Sequence, residues 1–158
     1  MIQADPLIVA TLDKLLVDQC SDDVVNAADS GQWPESLWQS LEATGLSRAW
    51  ISEAAGGGGA SLADGFAIAR LSGHHAIPAP LTETLLASYL LVAAGLDVPA
   101  GPMTIAPVYG DAALSTVANG RFSGNVQRLP FAQSAQHAVC TVTLESGVGL
   151  ALFDRSAW

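Results

Sequence analysis

The chain has few charged residues and very few basic ones. Only 13% of its 158 residues are charged, whereas an ordinary soluble domain has about 25%. Six basic side chains, of which Lys14 is the one lysine, stand against fifteen acidic ones and give a formal net charge of −9. Nucleic acids and anionic membrane surfaces are bound through clustered lysine and arginine. We therefore expect neither of them as a partner.

Long apolar runs and a cysteine framework are also missing. The longest apolar run, Leu85 to Leu96, has about 12 residues, whereas a membrane-spanning helix needs about 20. The first residues carry no basic segment of the kind that begins a secretory signal. Cys20 and Cys140 are too few and too distant for a disulfide framework, and neither belongs to a metal-binding CxxC pair. These absences favour a protein of the reduced cytoplasm without a membrane segment.

Apolar residues, by contrast, are abundant. Half of the residues are hydrophobic and the mean hydropathy is +0.36, so we expect apolar surface that is covered by further protein. The net charge belongs wholly to residues 1–100, which hold twelve acidic and three basic residues, whereas residues 101–158 hold three of each. We predict a helical domain over residues 1–100 and an incomplete β-domain over residues 101–158. The charged helical domain should then face solvent, and the neutral sheet should face the partner.

Capping residues and prolines mark the starts of four predicted helices. Asp5 caps the first helix, which has Pro6 at its first position. Ser61 caps the third, which is apolar nearly all round, so we expect it to be buried on more than one side. Short loops between such helices indicate an antiparallel helical bundle. The helices are predicted to begin at Pro6, Pro34, Leu62 and Pro80, and the last three to end near Gly45, Ser72 and Gly95.

The second half of the chain has the pattern of short strands. Asn119-Gly120 is the strongest short hairpin signal in the sequence, and it separates two of the predicted strands. The fold class predicted from both halves is α+β, an antiparallel helical bundle followed by part of an antiparallel β-domain. The predicted strands are Met103–Val108, Leu114–Ala118, Phe122–Leu129, Ala138–Leu144 and Gly149–Phe153.

Catalytic and metal-binding patterns are weak. The pair His74–His75 lies at a predicted helix end, where a cation suits the helix dipole, and a zinc site would need two further ligands. The run Gly56–Gly59 lacks the lysine of a phosphate loop and the third glycine of a dinucleotide motif, which favours a flexible turn before the next helix. Glu53, Asp64 and Glu83 lie where solvated or capping carboxylates are common. The residues alone therefore assign no catalytic group and no metal ligand.

Several segments in order resemble one enzyme family. Leu37–Leu46 ends in Gly-Leu, Ile51–Ser61 contains the glycine run, and an apolar helix follows it. Asn119–Gly124 then precedes Leu129-Pro130-Phe131-Ala132. This order, together with the change from helices to strands near residue 100, resembles the acyl-CoA dehydrogenase family over roughly residues 30–155.

The resemblance implies a reaction, a cofactor and a binding site. Members of this family carry FAD and oxidise an acyl-CoA thioester to its 2,3-enoyl product, with a carboxylate base that removes the α-proton. The acyl chain lies between the N-terminal helices and the β-domain, which implies substrate contacts at Phe66 and Tyr89. The flavin-binding positions implied by the family's two flavin motifs are Ile105, Ala106, Pro107, Arg128, Leu129 and Pro130.

The sequence also departs from the family in two ways. The C-terminal four-helix domain, which usually supplies the catalytic glutamate, has no counterpart here, so we expect no turnover by this chain alone. Ile105-Ala106-Pro107 stands where Thr-Glu-Pro is usual, and Arg128-Leu129-Pro130 stands where Trp-Ile-Thr is usual. The chain is then either part of a dehydrogenase completed by a further domain or subunit, or a non-catalytic subunit that binds acyl chains or stabilises a catalytic partner. An unrelated small α+β interaction domain is the third alternative.

Overall fold

The computed structural model describes residues 3–106, 114–117, 121–144 and 146–158, and it has an α+β fold. Helices occupy the described chain up to residue 93, and strands begin at residue 103. The predicted division at residue 100 agrees with this order and stays a prediction. The helices are α1 (Pro6–Gln19), α2 (Asp22–Asp29), α3 (Glu35–Ala43), α4 (Leu62–His74) and α5 (Leu81–Ala93), and the strands are β1 (Met103–Ile105), β2 (Leu114–Val117), β3 (Arg121–Ser123), β4 (His137–Leu144) and β5 (Gly147–Asp154).

The helices begin at the residues that the sequence marks as caps. The Asp5 side chain accepts a hydrogen bond from the Leu7 N–H group at 2.8 Å, and Pro6 is the first residue of α1. At α4, the Ser61 hydroxyl accepts from the Asp64 N–H group and the Asp64 carboxylate accepts from the Ser61 N–H group, which is a complete capping box. None of the helices in the described ranges is long and apolar enough to cross a membrane.

The helices pack around one apolar core. Leu12 and Leu16 of α1 and Leu85 of α5 are completely buried in it. Helix α4 contributes Ile68 and Leu71 from a single face, because its Phe66 side chain is 66% exposed. The expectation that α4 is buried on more than one side is therefore wrong for these 158 residues. Other core residues from the helical part are Leu37, Trp38, Leu41, Leu46, Ala49, Ile77, Ala79 and Leu81.

The sheet is mixed, with β4 at its centre. One edge of β4 pairs antiparallel with β5 along its whole length. The other edge pairs in parallel with β1 at residues 137–139 and in parallel with β2 at residues 142–143. Strand β3 pairs antiparallel with β2, and the predicted Asn119-Gly120 turn between them lies outside the described residues.

The predicted antiparallel order therefore holds for two of the four strand pairings, and two are parallel. The chain runs from β1 through the β2–β3 pair before it reaches β4. Strand β4 therefore runs parallel to both β1 and β2. The predicted third strand, Phe122–Leu129, is also shorter than expected, since β3 begins at Arg121 and ends at Ser123. The α+β class itself is confirmed.

Helix α5 joins the helical part to the sheet. The Thr84 hydroxyl donates to the Met103 carbonyl at 3.2 Å and accepts from the Met103 N–H group at 3.0 Å. The Arg48 guanidinium donates to the Val98 and Pro99 carbonyls of the connecting segment. A second apolar cluster, formed by Ala87, Leu91, Met103 and Val139, lies between α5 and the sheet. The two parts of the chain therefore share a packed boundary.

Candidate functional site

Three aromatic side chains meet where α4 and α5 lie side by side. The Trp50 ring is in edge-to-face contact with Phe66 of α4, at 5.6 Å between centroids, and with Tyr89 of α5, at 5.7 Å. Phe66 is 66% exposed and Tyr89 is 40% exposed. The structure thus brings together the two residues that the resemblance implies for the substrate, with Trp50 between them.

Exposed leucines extend this aromatic contact on both helices. Leu62 lies one turn before Phe66 on α4, and Leu86 lies one turn before Tyr89 on α5, so each shares a helix face with its aromatic neighbour. Both leucines are exposed by more than a third. We call Leu62, Phe66, Leu86 and Tyr89, with Trp50 between them, the aromatic surface. Exposed apolar side chains that adjoin in this way mark a site for a ligand or a partner.

Sequence reasoning missed Trp50, although α4 carries a signal for it. Gly65 is a buried glycine inside that helix, where glycine is less favourable than alanine by about 1 kcal/mol. A Cβ atom at Gly65 would overlap the Trp50 ring, so the glycine makes room for it. The Trp50 indole N–H also donates to the Ser61 carbonyl at 3.0 Å, which fixes the ring beside the start of α4.

Glu83 is the one carboxylate of α5. It lies in the first turn of the helix and is half-buried. Burial raises the pKa of the Glu83 carboxyl above its ordinary value. No contact links it to a base, a nucleophile or a metal ligand among the described residues, so it is not assigned a catalytic role.

The two segments expected to bind flavin lie side by side. The Thr104 hydroxyl donates to the Pro130 carbonyl at 2.6 Å, which joins β1 to the segment after β3. Ile105 packs against the apolar cluster under α5, and Ala106 is buried beside Leu129. Pro107 lies outside the described residues.

Four of the five described residues at this position offer a flavin no polar side chain. A flavin ring has a polar edge that needs hydrogen-bond partners, and Ile105, Ala106, Leu129 and Pro130 offer it no polar side chain. The nearby Thr104 hydroxyl is completely buried, and it is already bonded to the Pro130 carbonyl. For FAD, which the family implies, Arg128 is therefore the one side-chain donor among these described positions, and it is exposed.

The segment around Pro130 has an unusual backbone that other residues hold in place. Arg128 and Phe131 have φ angles of 55° and 51°, in the left-handed region that side chains other than glycine seldom adopt. The Arg155 guanidinium donates to the Ala132 and Ala135 carbonyls at 3.1 and 3.0 Å. Residues after β5 thus bind back onto this turn and fix its shape.

The histidine pair and the glycine run have structural partners. His74 is the last residue of α4, and the His75 ring nitrogen Nε2 lies 2.8 Å from the Asp13 carboxylate on α1. No group of three metal-ligating side chains occurs in the ranges that the structure describes. The Gly58 and Gly59 N–H groups donate to backbone carbonyls, so the run Gly56–Gly59 is a hydrogen-bonded turn before α4. Those N–H groups are not available to a phosphate.

The two cysteines are buried to different extents. Cys140 of β4 is buried, and burial raises the pKa of its thiol to about 11. Cys20 is half-buried after α1, and its thiol donates to the His75 carbonyl at 3.6 Å. Burial raises the pKa of the Cys20 thiol as well. Because the reactive form of cysteine is the thiolate, neither residue has the environment of a nucleophile.

Comparison with known proteins supports one family. No protein-family model and no curated protein matches the chain. Among solved structures, the chain is similar to a variant of the Tcur3481–Tcur3483 steroid ACAD, an acyl-CoA dehydrogenase, with a TM-score of 0.78 and 26% sequence identity. The match covers 93% of this chain and 46% of that one, so this chain spans less than half of its length. The resemblance to the acyl-CoA dehydrogenase family is therefore confirmed, for a chain that corresponds to part of such an enzyme.

Proposed function

We propose that the chain is the acyl-binding part of an acyl-CoA dehydrogenase that oxidises an acyl-CoA thioester between its α and β carbons. The observation that carries the proposal is the aromatic surface, which exposes Phe66 and Tyr89 on a fold similar to that of a steroid acyl-CoA dehydrogenase. The flavin contacts and the catalytic carboxylate would come from a further domain or from a partner subunit in a homo- or hetero-oligomer. This chain alone would have no turnover.

The chemistry of an acyl group suits this surface. An acyl chain or a steroid side chain is held mainly by burial, which contributes about 0.8 kcal/mol for each CH₂ group removed from water. Aromatic rings provide large contact areas and lose little side-chain entropy on binding. Because the similar structure is a steroid acyl-CoA dehydrogenase, steroid thioesters and straight-chain acyl-CoA esters are the two substrate classes to compare.

Binding can be measured on the chain alone by calorimetric titration with acyl-CoA esters of increasing length. We expect affinity to rise with chain length, and we expect Phe66→Ala to weaken binding by about tenfold, because one aromatic contact is lost. Leu7→Ala is the matched control, since Leu7 is a similarly exposed apolar residue on another helix, at 72% exposure. Equal affinities for the wild type and Phe66→Ala would contradict the acyl site.

A non-catalytic subunit is the second candidate function. The observation that favours it is the set of apolar side chains at Ile105, Ala106, Leu129 and Pro130, which offer a flavin ring no polar side chain. Such a subunit would bind acyl chains or stabilise a catalytic partner without holding FAD.

Flavin retention separates the two candidates. After incubation with FAD and gel filtration, the chain should be colourless and inactive with acyl-CoA and an electron acceptor. In an assembly with its partner, flavin that bleaches on addition of acyl-CoA and depends on this chain supports the dehydrogenase. An assembly whose flavin content is unchanged without this chain supports the non-catalytic subunit. Turnover by the isolated chain would contradict both.

A further inference from the structure

Helix α4 carries a row of exposed side chains that changes from apolar to basic along its length. Leu62 and Phe66, which belong to the aromatic surface, are followed at the same spacing of four positions by Arg70 and His74. All four residues are exposed. Side chains four positions apart are neighbours on a helix surface, so Arg70 adjoins Phe66. At about 1.5 Å of rise per residue, Arg70 lies about 6 Å along the helix axis from Phe66.

The Arg70 guanidinium has no partner within the part of the chain that the structure describes. Residues 1–100 contain three basic residues against twelve acidic ones. Of these bases, Arg48 is bonded to backbone carbonyls of the segment before β1, whereas Arg70 takes part in no described ion pair or hydrogen bond. Asp64, the one carboxylate of α4, is buried in the capping box at the other end of the helix. No carboxylate of its own helix therefore neutralises Arg70.

An acyl-CoA ester has an apolar part and an anionic part, as this row has an apolar part and a basic part. The acyl chain is apolar, and the CoA portion carries phosphate groups that a flexible arm joins to the thioester. A guanidinium suits phosphate, because its N–H donors match two phosphate oxygens at once. Elsewhere on the acidic helical part of the chain, a phosphate would meet mainly carboxylates, which repel it. Arg70 therefore provides a positive contact directly beside the apolar one.

We infer that Arg70 binds the phosphate groups of an acyl-CoA ester whose acyl chain lies on the aromatic surface. This inference rests on the proposed function, because it adds recognition of the CoA portion to the acyl site. Phe66 and Tyr89 hold the acyl chain by burial, which does not depend on the charge of the ligand. Arg70 acts through charge, so it distinguishes a CoA ester from an uncharged thioester of the same acyl chain.

Two ligands with the same acyl chain separate these contributions. Dodecanoyl-CoA carries the phosphates, whereas dodecanoyl-pantetheine keeps the thioester and lacks them. In calorimetric titration we expect the chain to bind dodecanoyl-CoA more tightly, and we expect this difference to shrink as the salt concentration rises. Arg70→Gln should weaken the binding of dodecanoyl-CoA by about three- to tenfold and leave that of dodecanoyl-pantetheine unchanged. Arg70→Lys keeps the charge and should retain part of the difference.

Two further variants control for charge and for the acyl contact. Lys14→Gln removes the same charge from an exposed position of α1, on the side away from the buried Leu12 and Leu16, and should change neither affinity. Phe66→Ala should weaken the binding of both esters by the same factor, because both contain the same acyl chain.

The outcomes distinguish this inference from the acyl site on which it rests. Equal affinities of the wild type and Arg70→Gln for dodecanoyl-CoA would overturn the role of Arg70 and leave the acyl site intact. An equal loss of affinity for both esters in Arg70→Gln would also overturn it, because the effect would not depend on the phosphates. Failure of the wild type to bind either ester would contradict the acyl site itself, and the role of Arg70 with it.

Discussion

At the scale of a residue, two buried hydroxyl side chains on α5 differ in their effect on stability, because only one of them is hydrogen-bonded. Thr84 and Ser88 lie one turn apart and are 3% and 0% exposed. The Thr84 hydroxyl bonds to both backbone groups of Met103, whereas the Ser88 hydroxyl has no partner among the described residues. A buried polar group without a partner keeps its full desolvation penalty, about 1–3 kcal/mol. Ser88 therefore destabilises the fold, and Thr84 stabilises it.

Substitutions at these two positions should change stability in opposite directions. We expect Ser88→Ala to raise the free energy of unfolding by about 1 kcal/mol, because it removes the unpaired hydroxyl and alanine favours a helix. This change corresponds to a melting temperature higher by about 2–4 °C. Thr84→Val, which keeps the shape and removes the bonds to Met103, should lower the free energy of unfolding by about 1–3 kcal/mol. Urea unfolding measures both, and a loss of stability in Ser88→Ala would contradict the assignment.

At the scale of an element, helix α4 contains two glycines with different surroundings. Gly65 is buried, and a Cβ atom there would overlap the Trp50 ring. Gly73 lies near the end of the same helix, and a Cβ atom there would meet no atom within 4 Å. Helix propensity favours alanine at both positions by about 1 kcal/mol, so packing alone distinguishes them.

The two alanine variants of α4 should therefore change the free energy of unfolding in opposite directions. Gly73→Ala should raise the free energy of unfolding by up to about 1 kcal/mol. Gly65→Ala should lower it by about 1–3 kcal/mol, because an overpacked site must shift its neighbours. It should also displace Trp50 and weaken acyl-CoA binding. Thermal unfolding and near-UV circular dichroism measure these effects, and a stabilised Gly65→Ala with an unchanged tryptophan signal would show that the ring does not depend on the glycine.

Local signals explain which elements could be predicted from the sequence. Asp5, Ser61 and Pro80 act within a few residues of the helix that each one starts, and all three helices begin there. Helix α2 was not predicted, because it has only eight residues, and its apolar residues are two valines and two alanines, none of them buried. The parallel pairings join β4 to β1 across 34 positions and to β2 across 28 positions, which no local pattern reports.

The candidate site, like the fold, could be predicted only in part from the sequence. The family resemblance implied Phe66 and Tyr89, and the structure places both against one ring. It could not indicate Trp50, which reaches α4 from an irregular segment through tertiary packing. Nor could it show that Thr104 is bonded to Pro130, since these two residues are 26 positions apart. That bond leaves the hydroxyl next to the expected flavin residues already paired.

At the scale of the whole molecule, a single carboxylate ties the start of the chain to α4. The Asp64 carboxylate accepts from the Asp5 N–H group at 2.6 Å, across 59 positions, and from the N–H and hydroxyl groups of Ser61 at 2.7 Å. Asp64 is buried, with 6% of its surface exposed. Loss of this carboxylate removes a helix cap and a long-range hydrogen bond together. We therefore expect it to lower the free energy of unfolding of the chain.

The pH dependence of stability should report this carboxylate. The Asp5 N–H group and the Ser61 hydroxyl hold the pKa of Asp64 below its ordinary value of about 3.9. The contribution of this carboxylate to stability is therefore fully present above the pKa of the unfolded state, and it is lost as the pH falls through the lower pKa of the folded state.

Asp64→Asn should lower the free energy of unfolding by about 1 kcal/mol at pH 7, and the difference from the wild type should shrink below about pH 4. Asp154→Asn is the control, because the Asp154 side chain is 69% exposed, and its pKa is lowered mainly by the Ser156 N–H group. Urea unfolding between pH 7 and pH 3 measures these differences, and a gap between the wild type and Asp64→Asn that widens in acid would reverse the sign of this linkage.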